Sequence, residues 1–310
     1  MLKSKTVFVL GAGASLSYGF KDGRTLKHEI IRNHKLLVHK YGYNVSLVQE
    51  FAKRLGQARA FTIDRFLGED ENEKFIEPAT AAIAHQIIEW ESLPGSYSDD
   101  WYAYLFQKID NLDDPLRLFE NLNIITFNYD CSFEWEAYQH VLGLHGKEEL
   151  ASEVLSKLNI IHVYGSVGGV LELHSLKART YGQYPNRENF ERIRADIITA
   201  LEDRKSVTTS AFAEYYEDAK QVFFLGFGYD KYNIDRILMD QFHEAPIYGT
   251  TVGLERAEID HIVTEYFQQA RPAAVLLDES EHFGPSLGVP QASGIRAFLK
   301  ARSHFQRLLP

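Results

Sequence analysis

The run Val7-Phe8-Val9-Leu10, ended at once by Gly11-Ala12-Gly13-Ala14-Ser15, constrains this chain more than any other feature. Consecutive apolar β-formers without polar alternation read as a strand buried on both faces, the situation of parallel sheets covered by helices. A glycine turn directly after such a strand lets backbone N–H groups approach a ligand beyond the strand's C-terminal end. Parallel neighbours also need long crossovers, so the pattern predicts strands alternating with helices rather than hairpins.

The rest of the chain supplies that alternation. From about Leu26 to Trp90 the apolar residues fall at helical spacing: Leu47, Phe51 and Leu55 recur on one face, as do Ile83, Ile87 and Ile88. Pro94-Gly95-Ser96 breaks the run, and a further helix is expected around Trp101 to Ile109. Strands are expected at Asn123–Phe127, Ile160–Tyr164, Val170–His174, Val222–Leu225, Tyr248–Leu254 and Ala274–Leu277, with helices near Phe133–Leu142, Phe190–Leu201 and Phe212–Ala219. The expected fold class is α/β, a Rossmann-like parallel sheet with flanking helices and an inserted helical subdomain. Residues 1–280 form one domain on this reading, with the helical insertion at about 26–115, and residues 281–310 form a C-terminal extension packing on the core.

A formal net charge of -10 argues against a broad phosphate-binding surface, so direct nucleic-acid binding is not expected. Cys131 is the only cysteine, which excludes an intrachain disulfide and a four-cysteine zinc module. His28, His34 and His39 lie on different helix faces, off any zinc spacing, and no metal is expected. The run Glu69-Asp70-Glu71-Asn72-Glu73-Lys74 reads as a solvated loop. No stretch reaches membrane-spanning length, and the expectation is a cytoplasmic protein without a membrane partner.

The glycine turn departs from the dinucleotide fingerprint of hydride-transfer enzymes: Leu16 replaces its third glycine, and no acidic residue stands about 20 positions on. Three further segments end strands or follow them: Thr126-Phe127-Asn128-Tyr129-Asp130, Ile161-His162-Val163-Tyr164-Gly165-Ser166, and Phe223-Phe224-Leu225-Gly226-Phe227-Gly228-Tyr229-Asp230-Lys231-Tyr232-Asn233. On an extended segment residues 128 and 130 project to one side, so an amide and a carboxylate can reach one ligand. His162 is the better base near neutral pH, since tyrosine titrates near 10; a hydrogen-bonded core histidine is the alternative reading. Cys131 reads as a small core residue rather than a nucleophile.

Together with Gly11 to Arg24, these segments resemble sirtuin-like NAD-hydrolase domains of bacterial antiphage defence, from residue 6 to about 280. The stretch Phe61-Thr62-Ile63-Asp64-Arg65-Phe66-Leu67 also resembles one common in such proteins, and equally reads as an ordinary helix start. The resemblance implies NAD as substrate, with no prosthetic group and no zinc. It implies cofactor contacts from Gly11, Ala12, Gly13, Ser15, Asp22, Arg24, Thr126, Tyr164, Gly165, Ser166, Gly226, Gly228, Asp230 and Asn233, with Asn128, Asp130 and His162 at the reacting end. Tyr164 stands where the family usually places its catalytic histidine, so either Tyr164 or His162 fills that role, His162 being favoured.

The missing zinc module, and Gly23 where deacylases carry a phenylalanine, favour water as nucleophile. The expected activity is NAD glycohydrolysis to nicotinamide and ADP-ribose, depleting NAD in antiphage defence. The chain has no Gly-x-x-x-x-Gly-Lys-Ser/Thr loop, and a homo-oligomer, a HerA-like ATPase or a sensor protein is the expected partner. The alternatives are a non-catalytic NAD or ADP-ribose binding module, and an NAD-dependent deacylase or ADP-ribosyltransferase.

Overall fold

The computed structural model describes residues 1–60, 62–97, 99–168, 179–197, 209–237, 245–267 and 275–277, together with Ile295, Arg296, Leu299, Phe305, Gln306 and Leu309. Its centre is a six-stranded sheet: β1 (Thr6–Leu10), β2 (Leu122–Thr126), β3 (Asn159–His162), β4 (Gln221–Leu225), β5 (Ile247–Gly249) and β6 (Val275–Leu277), in the order β3-β2-β1-β4-β5-β6. Every neighbouring pair is parallel. The fold is the α/β, Rossmann-like one that the strand and helix alternation predicts.

The central strands β1 and β2 are buried along their whole length, β1 with a run of four apolar residues and β2 with Asn123 and Thr126 among its buried positions. Chain order reverses at β1: the chain runs outward through β2 and β3, then crosses back to place β4 on the other side. Open parallel sheets bind ligands at such a reversal, beyond the strand C-termini. Register sharpens the point. Leu10 pairs with Thr126 and with Leu225, and Thr126 pairs with His162. The loops starting at Gly11, Phe127, Val163 and Gly226 therefore emerge at one level.

Between β1 and β2 lie helices α1 (Gly23–Asn33), α2 (Lys35–Tyr41), α3 (Val45–Gln57), α4 (Ile63–Leu67), α5 (Ile76–Glu91) and α6 (Trp101–Ile109). Helix α5 is buried on nearly every side, and its sequence explains how: Ala79, Ala81, Ala82 and Ala84 let α1, α2 and α3 pack close around it. Side-chain caps start several of these helices where the sequence provides an acceptor: Asp22 for α1, Asn44 for α3, Thr62 for α4 and Asp100 for α6. Among the described residues the remaining helices are α7 (Ser132–His145), α8 (Glu148–Leu155), α9 (Arg187–Ala195), α10 (Thr209–Tyr216), α11 (Lys231–Arg236) and α12 (Arg256–Tyr266).

Several expected boundaries shift. The first glycine turn leads into a 3₁₀ segment, Ala12–Tyr18, before α1 begins. The third strand stops at His162 rather than Tyr164, because the Gly165 N–H donates to the His162 carbonyl at 3.1 Å and closes a turn. The fifth ends at Gly249, followed by a turn in which the Leu254 N–H reaches the Thr251 carbonyl at 3.0 Å. The run Glu69 to Lys74, expected as a loop, includes a 3₁₀ segment, Asp70–Phe75. The strand expected at Val170–His174 and most of 281–310 lie outside the described residues. Of that last stretch, Phe305 packs against Phe8 and Phe223 on the central strands, and Ile295 and Leu299 are buried.

Candidate functional site

Beyond the C-terminal ends of β1, β2 and β4 the loops enclose a cavity of about 340 Å³. Gly11 to Gly13, Asn128, Asp130 and Gly226 to Gly228 line it, facing Phe20, Asp22 and Gly23 from the start of the helical insertion and Thr62 and Asp64 from the α4 region. Phe127, Tyr129, Tyr164 and Phe227 supply aromatic wall. Asp22, Asp64, Asp130 and Asp230 make the lining acidic, with Lys21 as the one lysine or arginine among the described lining residues.

The glycines of the two loops meet backbone to backbone. Gly13 N–H donates to the Gly226 carbonyl at 2.9 Å, and Gly11 N–H to the Leu225 carbonyl at 3.1 Å. A Cβ on Gly11 would lie 2.6 Å from the Gly226 carbonyl oxygen, and one on Gly13 would lie 2.7 Å from Gly226 Cα. Gly226 itself has φ of 59°, in the left-handed region that favours glycine. Loop-to-loop packing is thus enough to require glycine at each of these positions.

Asn128 and Asp130 are tied to the first loop through Ser15. The Asn128 Nδ2 amide donates to the Gly11 carbonyl and to Ser15 Oγ, both at 3.0 Å. Ser15 Oγ donates to Asp130 Oδ1 at 3.1 Å, and the same oxygen accepts from the Ser132 N–H at 3.1 Å and the Ser132 hydroxyl at 2.5 Å. With the Ser132 proton spent on Asp130, the Tyr102 hydroxyl, 3.1 Å from Ser132 Oγ, must donate in that contact. Burial pushes the Asp130 carboxyl above its ordinary value, and the hydrogen bonds from Ser132 and Ser15 pull it back. Tyr129, between Asn128 and Asp130, points the other way and donates its hydroxyl to Asp64 Oδ1.

His162 does not line this cavity. It sits behind the end of β2, beside a void lined by Thr126, Asn128, Asp130 and Glu134. Its Nδ1 is 2.9 Å from the Asn128 carbonyl oxygen, and its Nε2 is 2.8 Å from Glu134 Oε1. The Asn128 carbonyl can only accept, so Nδ1 carries a proton, and an ionised Glu134 favours a second proton on Nε2. Burial alone would strip that proton; the Glu134 carboxylate and the Asn128 carbonyl outweigh it and hold the ring above the ordinary histidine value. Both ring nitrogens are engaged by these partners, and His162 is not among the residues lining the cleft that it was expected to serve as base.

Tyr164 does face the cavity, from the turn after β3, and its hydroxyl donates to Asn233 Oδ1 at 2.6 Å. Burial, and then the charge of Asp64, push that phenol far above its ordinary value, so it acts as a donor and wall and not as a base. Asp22 and Asp230 line the cavity while capping α1 and α11, accepting from the Thr25 and Tyr232 N–H groups. Gly165, Ser166, Thr126, Ser15 and Arg24 are not among the lining residues. Thr126 Oγ1 accepts from the Asn128 N–H at 3.1 Å, and a Cβ on Gly165 would strike the Asp196 carbonyl. Thr126, Ser15 and Gly165 thus bond or pack against the loops from behind.

Sequence reasoning overlooked Glu134 and did not place Asp64 in the cleft. Glu134 lies in the first turn of α7, whose start directly after β2 brings the carboxylate under β3. Asp64 occupies the first turn behind the Thr62 cap, where an acidic residue is ordinary, and its local sequence gives no sign of the cleft. Cys131, Glu134 and His162 place ligand atoms within 4.8 Å of one another, a donor set that suits a transition metal by type. Here the thiol donates to the Gly168 carbonyl at 2.7 Å, burial beside Glu134 pushes it well up, and Glu134 is engaged with His162. The three groups are paired as a thiol and an ion pair.

The site defines a Rossmann-like α/β protein with an aromatic-walled cleft carrying four aspartates at the sheet's switch point. No protein-family model matches the chain, and no curated protein matches it at a significant level.

Proposed function

We propose that the cleft binds NAD and hydrolyses its nicotinamide glycosidic bond. One observation carries the reading: the turn at Gly11, the Asn128–Asp130 segment and the loop at Gly226, separated along the chain, converge on one cavity at the switch point of a parallel sheet. The acidic lining complements the positive pyridinium of NAD and the ribosyl cation that forms as its bond breaks. Pyrophosphate contacts fall to backbone N–H groups outside the loop-to-loop bonds of Gly11 and Gly13, such as those of Ala12 and Gly228, since the lining offers little cationic side chain. Asn128 orients the ribose, and Asp130 the carboxamide.

The test is release of nicotinamide and ADP-ribose from NAD by the purified chain, with loss in Asn128→Ala. Because the Asn128 amide also holds the Gly11 carbonyl and Ser15, that variant is assayed beside its own unfolding curve. Wild-type protein that neither binds nor consumes NAD, alone or with proteins encoded beside it, removes the proposal. NAD depletion in antiphage defence, gated by self-association or a partner, is the setting we attach to this chemistry; sizing with and without NAD tests the gating.

A second reading, binding without turnover, draws on the position of His162, whose ring nitrogens meet the Asn128 carbonyl and Glu134 and which is not among the residues lining the cleft. Thermal stabilisation by NAD with no product would favour it. Transfer of ADP-ribose or an acyl group to or from protein would mark the chain instead as a transferase or deacylase.

A further inference from the structure

We propose that Asp64, carried into the cleft by the helical insertion, is the base that takes the proton from the water attacking the nicotinamide ribose. The inference rests on the hydrolase reading above and supplies what that reading lacks. Hydrolysis breaks the bond from the ribose C1′ to the pyridinium nitrogen, and the electron pair leaves with neutral nicotinamide. A water oxygen bonds to C1′ and must lose a proton. That proton needs an acceptor at the cleft, and each other candidate is committed. His162 is not among the lining residues, and its two nitrogens meet the Asn128 carbonyl and Glu134. The Tyr164 hydroxyl donates to Asn233. Asp130 takes three donors on Oδ1, from Ser15 and both groups of Ser132, which favour its charged form and weaken it as a base. Asp22 and Asp230 cap helices at the exposed rim.

Asp64 differs from all of these. It lines the cavity, it is recessed, and among the described residues the Tyr129 hydroxyl is the one side chain that bonds it, through Oδ1. Tyr129 is in turn fixed between Asn128 and Asp130, so the carboxylate is registered against the same segment that would hold the ribose. Burial pushes the Asp64 carboxyl up, Tyr129 draws it down by favouring the charged form, and the nearby charge of Asp230 pushes it up again. A carboxylate raised in this way is a stronger acceptor than an exposed one, as general-base work near neutral pH requires.

The experiment compares wild type, Asp64→Asn and Tyr129→Phe as full-length chains with NAD itself, reading nicotinamide release across pH, the thermal shift produced by NAD, and circular dichroism. Asp64→Asn is expected to keep the thermal shift and lose about 100- to 10,000-fold in turnover. Tyr129→Phe is expected to remain active and to move the acid limb of the pH–rate profile to higher pH, because the carboxylate loses the donor that favours its charged form. Turnover by Asp64→Asn at the wild-type rate overturns the proposal while leaving the hydrolase reading intact, and loss of the thermal shift in a folded Asp64→Asn makes it a binding residue instead. If Asp64→Asn fails to fold, an unmoved acid limb in Tyr129→Phe overturns the proposal. A wild type that neither binds nor cleaves NAD removes the hydrolase reading and the base together.

Discussion

His162 Nε2 and Glu134 Oε1 lie 2.8 Å apart, joining the end of β3 to the first turn of α7, with the other ring nitrogen donating to the Asn128 carbonyl. The pair is nearly sealed: the two side chains are 12% and 8% exposed. Its job is to fix the backbone at Asn128, one side of the cleft, from behind.

Removing one partner should therefore cost more than the pair itself is worth, because the other charge stays buried. Glu134→Ala is expected to lose roughly 3–5 kcal/mol of unfolding free energy in urea melts, the range for breaking a buried ion pair. A loss below about 1 kcal/mol, the range of surface pairs, would show that the pair is solvated in solution.

The same pair gives stability a pH dependence whose sign follows from the direction of the shift. The His162 ring is held above its ordinary 6.5, so the folded chain retains a proton that the unfolded chain has released. Its stabilisation is fully present below about pH 6.5 and is lost as pH rises through the elevated folded value. The difference in unfolding free energy between wild type and His162→Phe should shrink on the alkaline side of pH 6.5. A difference that grows with pH would mean that the ring is neutral in the fold.

How much of this could be read beforehand differs by residue. The strand at Val7–Leu10 and its glycine turn were plain, because burial on both faces writes itself as an unbroken apolar run. The grouping of Asn128 with Asp130 was legible too, and both side chains do meet at Ser15 Oγ. The state of His162 was not, since it depends on Glu134, which reaches β3 from α7, and on a backbone carbonyl that sequence does not mark as a partner. The expectation that the third strand runs on to Tyr164 failed because the chain turns after His162, a hydrogen-bonding event of the backbone rather than of side-chain pattern. Asp64 was hidden for a different reason: its neighbour across the cleft, Tyr129, is far away in the chain.

Gly226 and Gly228 separate a folding role from a ligand role within one loop. A Cβ at Gly226 would sit 2.2 Å from the Ala14 nitrogen on a backbone of positive φ, whereas one at Gly228 meets nothing within 4 Å. Gly226→Ala should lower the melting temperature sharply, with a strain cost of about 1–3 kcal/mol before the clash is counted. Gly228→Ala should unfold within about 0.5 kcal/mol of wild type while weakening the thermal shift from NAD, because its methyl enters the space the ligand would use. Equal stability in the two variants would contradict the loop contact between Gly13 and Gly226.

Arg179 and Glu91 test how the helical insertion is held to the sheet side of the cleft. Arg179 Nη2 donates to Glu91 Oε1 at 2.6 Å, Nη1 lies 2.5 Å from Oε2, and Nε donates to the Val167 carbonyl at 2.8 Å. The side chains are 4% and 0% exposed, so this hydrogen-bonded ion pair pins the end of α5 to the segment after β3 inside the protein. Burial pushes the Glu91 carboxyl up and Arg179 opposes it, which makes the guanidinium the group that keeps Glu91 charged. Arg179→Met should then leave a carboxyl that takes up a proton on folding, at a cost of roughly 3–5 kcal/mol near neutral pH that shrinks as the solution is made acid. The double variant with Glu91→Leu removes both charges and should recover much of that loss, since an apolar pair of similar volume avoids desolvation altogether. Recovery in the double variant separates a buried charge pair from simple packing; strict additivity of the two single losses would mean that the residues do not interact across the insertion.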